Sequence, residues 1–166
     1  MTLRKKFYPW ASVLPKKFSV ACATLFGLGN LSAPGTWGSV VGILFYCLFF
    51  QGMPIFRYAV FALLVAYIAI GICDAAERHL QKRDPREIVL DEFVAVPICF
   101  LPITVHYFNG WWIFAGFLLF RILDIKKPLW INDMQSLEGG AGCVMDDVIA
   151  ALAVALAMNL LAIIIQ

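Results

Sequence analysis

Three groups of carboxylates stand where an apolar run begins or ends: Asp91-Glu92 ahead of residues 93–105, Asp124 after residues 111–123, and Asp146-Asp147 at the head of residues 146–165. An ionised side chain at the edge of a membrane helix is costly unless it is hydrated, paired or metal-bound, which makes each group a functional candidate. Helix capping alone would account for either doubled pair taken singly, because the positive end of the helix dipole favours a carboxylate. Two doubled pairs and a third acid on one face instead suit a hard divalent cation such as Mg2+, which takes oxygen ligands and keeps several waters.

Cations and glycine-rich turns border the acids. Arg121 lies three residues before Asp124, so the two share a helix face, and Lys127-Pro128 follows directly. Two readings fit: an ordinary Arg–Asp pair with lysine anchors, or cations for a phosphate, whose oxygens a guanidinium fork matches. The turns Asn30–Ser39 and Glu138–Gly142 are glycine-rich. Glycine lets backbone N–H groups approach phosphate oxygens, but it also serves close helix packing in membranes.

Other chemistries lack their residues. The five cysteines, Cys22, Cys47, Cys73, Cys99 and Cys143, are odd in number, widely spaced and set in or beside apolar runs, which reads as small buried hydrophobes. No cysteine has the arginine spacing of a thiol phosphatase, and no D-x-D pair is present. His79 and His106 fall on opposite sides of the membrane in the topology below. Metal-activated water is left, with an aspartyl-phosphate intermediate as the alternative.

The elements that must position these residues follow from composition. Of 166 residues, 62% are hydrophobic and 14% charged, and mean hydropathy is +0.84. A soluble domain of this size carries about a quarter charged residues, and a disordered chain is poor in apolar ones, so both classes are excluded. The net charge of +2 is uninformative by itself. Five apolar runs predict about five transmembrane helices at 37–50, 55–74, 93–105, 111–123 and 146–165, some short or broken by Pro97 and Pro102. Residues 18–31 contain Gly27, Gly29 and Asn30 and read as an interfacial or re-entrant helix. The predicted organisation is an all-α integral membrane protein, with a basic cytoplasmic segment over 1–17 and one membrane-embedded domain over 18–166.

Placement of charge gives the orientation. With five crossings, all the basic residues except Arg57 fall on one side, which the positive-inside bias makes cytoplasmic. A sixth crossing at 18–31 would separate Lys16 and Lys17 from the 75–92 loop and spoil this. Every carboxylate falls on the same face, although acids do not drive orientation. A transporter would place its ionisable groups near the midplane instead.

Four motifs in order carry a resemblance: Pro34-Gly35-Thr36-x-Gly38-Ser39, then Asp91-Glu92-Phe93, then Phe120-Arg121-x-x-Asp124-x-x-Lys127-Pro128, then Gly139-Gly140-x-Gly142-x-x-x-Asp146-Asp147. Together they resemble the phosphatidylglycerophosphatase A family over roughly residues 18–165. Departures at Val94-Ala95, Trp130 and Ala151 replace none of the charged positions. The resemblance implies a small protein of the bacterial inner membrane that uses Mg2+ to remove the terminal phosphate from phosphatidylglycerophosphate, giving phosphatidylglycerol. It implies that Asp91, Glu92, Asp124, Asp146 and Asp147 supply metal ligands and a base. Arg121, Lys127, Thr36 and Ser39 would then bind the phosphate. A CDP-alcohol phosphotransferase is the competing enzyme class, but its D-G-x-x-A-R core is absent. A small transporter or assembly subunit is the competitor from outside enzymology.

Overall fold

A computed structural model describes residues 8–101, 110–126 and 139–165, and among these residues there is no strand. Six α-helices follow in chain order: α1 Lys16–Ala23, α2 Pro34–Phe45, α3 Ile55–Leu80, α4 Leu90–Ile98, α5 Gly110–Lys126 and α6 Gly140–Ile165. Proline opens three of them. Pro15 and Pro54 stand at the N-caps of α1 and α3, and Pro34 is the first residue of α2, positions where its fixed φ favours the helix and its missing N–H costs no hydrogen bond. Beyond Phe45 the backbone of α2 widens into a π-helical turn, Tyr46–Phe50, which seats Tyr46 and Phe50 among Tyr58, Phe61 and Phe100.

Glycine sets how closely the helices lie. A Cβ at Gly38 would meet the Val89 carbonyl at 2.8 Å and one at Gly42 the Phe93 carbonyl at 2.8 Å, so α2 packs backbone to backbone on α4. A Cβ at Gly140 would run into the Ile70 carbonyl, which brings the start of α6 against α3. Small interfacial residues of this kind drive helix association where lipid removes the hydrophobic incentive. The Tyr58 hydroxyl donates across the core to the carbonyl of Pro97, near the end of α4. Because the Phe100 amide also donates to that carbonyl at 3.1 Å, Tyr58→Phe should cost only ~1 kcal/mol, read by thermal unfolding in detergent; a loss above about 3 kcal/mol would mean the hydroxyl holds more than this one bond.

Successive helices reverse direction. The beginnings of α2, α4 and α6 and the ends of α3 and α5 meet at one end of the protein, where Gly35 abuts Glu92 and Arg121 and Gly139 abuts Asp74. This alternation agrees with the predicted order of crossings, but length supports only part of the count. Among the described residues two helices, α3 and α6, each of 26 residues and with mean hydropathy of 2.2 and 2.8 over their best windows, are long and apolar enough to cross a membrane. The predicted span 37–50 is an apolar helix of 17 residues counting its π turn, and α4 holds only nine, with Pro97 near its end. The third shorter helix, α5, carries Arg121 and Asp124 in its last turns, so its apolar part is shorter than its 17 residues. Five full-length crossings are therefore not established by length. At eight residues, α1 is too short to cross the hydrocarbon layer. The outward faces of α3 and α6 are apolar and exposed at Leu63, Leu64, Leu156 and Ile164, which a water-facing surface rarely tolerates over a continuous area.

Candidate active site

The charged end of the bundle holds a cleft of about 430 Å3, lined by Ala33, Pro34 and Gly35 from the start of α2, the Asp84–Arg86 loop, and the acids and arginine of α4, α5 and α6. Asp91, Glu92 and Asp147 each direct a carboxylate oxygen to one place, all within 4.8 Å of one another. Asp91 and Asp147 are buried, and the Glu92 side chain is 14% exposed. Asp91 and Glu92 stand in the first turn of α4, where the unpaired amides favour negative charge. The Glu92 amide donates to Asp91 Oδ1 at 3.0 Å, and the Asp147 amide donates to Asp146 Oδ1 at 3.0 Å. In each doublet, then, the first carboxylate holds the backbone that presents the second.

Arg121 reaches into the same cluster. Its Nη1 donates to Asp124 Oδ2 at 2.7 Å, lies 3.8 Å from Glu92 Oε1 and 3.5 Å from Ser39 Oγ. Gly35 makes room for this approach, because a Cβ there would collide with Glu92 Oε1 and press on both guanidinium ends. Two buried polar atoms in the cluster, Glu92 Oε2 and Arg121 Nε, have no hydrogen-bond partner among the described residues. Burial pushes the carboxyls of both Asp91 and Glu92 above the usual range, and for Glu92 the neighbouring Asp91 charge adds to the effect. Acids so placed need a cation to stay ionised together.

The residues chosen from sequence divide accordingly. Asp91, Glu92, Asp124, Asp147 and Arg121 line the cleft. Asp146 is 1% exposed and lies outside the lining, its Oδ1 turned to its own helix. Ser39 is buried beneath Arg121, and its hydroxyl donates to the Gly35 carbonyl at 2.8 Å, so it supports the arginine from behind. Thr36 is half-buried and is not part of the lining. Lys127 lies outside the described residues, as does the Glu138 end of the second glycine turn.

Sequence reasoning passed over three participants. Asp84 and Arg86 line the cleft, although in the sequence Arg86 reads only as an orientation charge and Asp84 only as one of the acids on the same face. Cys143 is more than a buried hydrophobe, since its thiol donates to Asp91 Oδ2 at 2.9 Å. Its place four residues before Asp147, on the same helix face, was the available signal. Asp84, Asp91 and Cys143 also bring one ligand atom each within 4.8 Å of one another.

Comparison with known proteins gives the family. Residues 21–162 match the family model described as phosphatidylglycerophosphatase A. A Bacteroides thetaiotaomicron protein with the provisional name of a phosphatidylinositol-3-phosphatase is 34% identical over 140 residues, covering 82% of this chain and 88% of that protein. The phosphatidylglycerophosphatase A proteins of Haemophilus influenzae and Escherichia coli are 35% and 33% identical over 130 residues. They cover 76% and 75% of this chain, and 78% and 72% of their own lengths. No solved structure matches. With the four motifs converging on one acidic cleft and the match running through all the elements that build it, the chain belongs to the phosphatidylglycerophosphatase A family.

Proposed function

We propose that this chain is a Mg2+-dependent phosphomonoesterase that converts phosphatidylglycerophosphate to phosphatidylglycerol and phosphate. It works at the cytoplasmic face of the bacterial inner membrane, with its five alternating helices embedded there and α1 at the interface. The observation that carries the reading is the buried Glu92 Oε2, without a hydrogen-bond partner among the described residues and beside Asp91, Asp147 and Arg121. An all-oxygen trio with an unpaired lone pair fits a hard cation, and an arginine with an unpaired Nε fits a phosphate oxygen. The names of these three relatives all describe hydrolysis of a phosphate ester on a lipid headgroup.

Asp91, Glu92 and Asp147 would hold the Mg2+, which supplies neutralisation of phosphate charge and a water of lowered pKa. Arg121 faces the transferring phosphoryl group, and its pairing with Asp124 and its contact with Ser39 hold the guanidinium in position before substrate arrives, so that little reorganisation is needed as charge develops. The Gly35 amide, at the Pro34–Gly35 wall of the cleft, adds the positive end of a twelve-residue helix. A cleft carboxylate accepts the proton of the attacking water, and the departing glycerol oxygen is protonated in turn. The lipid tails stay among the apolar helix faces.

Purified protein in detergent should release inorganic phosphate from phosphatidylglycerophosphate with Mg2+, lose that activity in excess chelator and regain it when Mg2+ is restored. Absence of phosphate release by the wild type would overturn the reaction, and undiminished release in chelator would overturn the metal.

A further inference from the structure

Among the described residues the cleft is lined by two cations, and they are not equivalent. Arg121 is deep, 15% exposed, and already engaged by Asp124 and Glu92. Arg86 is exposed at the rim and makes no ion pair among the described residues. Its loop is nevertheless built. Glu77 Oε1, buried at the end of α3, accepts the Asp84 amide at 2.7 Å, and Lys82 pairs with Glu87 at 3.8 Å. Pro85 is buried, and its carbonyl accepts the Ile88 amide at 2.9 Å. Asp84 is held in the left-handed region, φ 45°, a conformation that costs a non-glycine residue about 1 kcal/mol. The loop thus holds the backbone that presents Arg86 at the mouth of a cleft whose other rim charge among the described residues, Asp84, would repel an anionic ligand.

We infer that Arg86 forms a second anion subsite at the cleft rim that takes a phosphodiester while the terminal phosphomonoester occupies the deep Arg121 end. The inference rests on the proposed phosphatase reading and adds the basis of its selectivity. The ligand class is a lipid with two phosphates in series, and the lipid discriminated against is one whose single phosphate is a monoester on the diacylglycerol itself. A lone monoester fills the deep end and leaves Arg86 unpaired, whereas a monoester joined through a short polyol to a diester reaches both. Guanidinium suits the role because its planar donors stay charged and match phosphate oxygens in pairs.

Binding separates this idea from catalysis. Chelator-treated full-length protein in detergent should bind phosphatidylglycerophosphate about tenfold more tightly than phosphatidate, and Arg86→Gln should bring the two affinities to within about twofold. Arg86→Lys should restore part of the preference. Equal affinity of the wild type for the two lipids, or an unchanged ratio in Arg86→Gln, would overturn the subsite. The same two variants assayed with Mg2+ should show the effect in KM for phosphatidylglycerophosphate far more than in kcat; a loss confined to kcat would also overturn it. If the wild type discriminates in binding but releases no phosphate, the phosphatase reading fails and the subsite stands.

Discussion

Asp147→Asn is expected to lower phosphate release by about three orders of magnitude while making the protein more resistant to heat in chelator. The two effects have one cause. Asp147 is 3% exposed, and its carboxylate stands within 4.8 Å of those of Asp91 and Glu92. Without a cation the metal-free protein bears either the repulsion of like charges this close, at most roughly 3 kcal/mol for a pair at an effective dielectric constant near 20, or the cost of taking up a proton to relieve that repulsion. Asparagine keeps the shape and removes the charge, so the metal-free protein loses that repulsion and should melt about 3 °C higher for each kcal/mol relieved. On the proposed function, the same change removes an oxygen ligand and a negative charge from the cation site. Loss of one preorganised electrostatic contact costs about 10² to 10³ in kcat, and loss of a ligand exceeds the 10- to 100-fold typical of groups behind the ligands. Mg2+ should raise the melting temperature of the wild type, because a ligand that binds only the folded state stabilises it, and should raise that of Asp147→Asn much less. Full activity in the variant, or a melting temperature in chelator below that of the wild type, would remove Asp147 from the cation site.

Much of this arrangement is visible in the chain because the bilayer penalises charge. Apolar runs and their charged ends had to alternate, so the starts of α2 and α4 and the end of α5 fall three residues from the expected bounds, whereas α3 runs six residues past its expected end at 74 and α6 starts six residues before its expected start at 146. Less visible was the length of each helix. Apolar composition does not distinguish a span from a short buried helix. The nine-residue α4 is apolar because α2, α3 and α6 surround it, and its residues Ala95 and Val96 are buried in the core. The continuation of the α2 helix as a π turn has no composition signal either, since Tyr46 and Phe50 would look the same on a regular helix.

Within the site, legibility followed chemistry. Carboxylates next to apolar runs stood out, and Asp91, Glu92, Asp124 and Asp147 line one cleft. The different places of Asp146 and Asp147 were hidden, because adjacent residues on a helix point about 100° apart and the sequence does not say which of the two faces inward. The same holds on α2, where Ser39 is buried under Arg121 and Thr36 is half-buried off the lining. Asp84 and Arg86 were hidden for another reason. A polar loop contributes to a site only through tertiary folding, and here the deciding contact is the bond from the Asp84 amide to Glu77, seven residues earlier on α3.

Gly35→Ala should cost about 100-fold in activity with no loss of stability. Gly35 is in the first turn of α2, where alanine is the better helix former by ~1 kcal/mol, so the backbone itself favours the change. The added methyl group is unfavourable only for the site. It would overlap Glu92 Oε1 and stand 3.0 Å from both Nη1 and Nη2 of Arg121, and these are ends of side chains that can move, not backbone that would split the helices. Their displacement separates the arginine from its contact with Ser39 and moves one of the three oxygens that converge on the cation site. A shift of about 1 Å in a positioned group is enough for a 100-fold loss. Gly42→Ala supplies the contrast on the same helix. Its methyl group meets the Phe93 carbonyl at 2.8 Å and Val96 Cβ at 2.9 Å, so α2 must move off α4 and the melting temperature should fall. Activity and thermal unfolding measured on both variants separate the two roles of glycine on one helix face. If Gly35→Ala kept wild-type activity, the close approach of Arg121 and Glu92 to α2 would not matter to the reaction; if it melted early, Gly35 would be a packing glycine like Gly42.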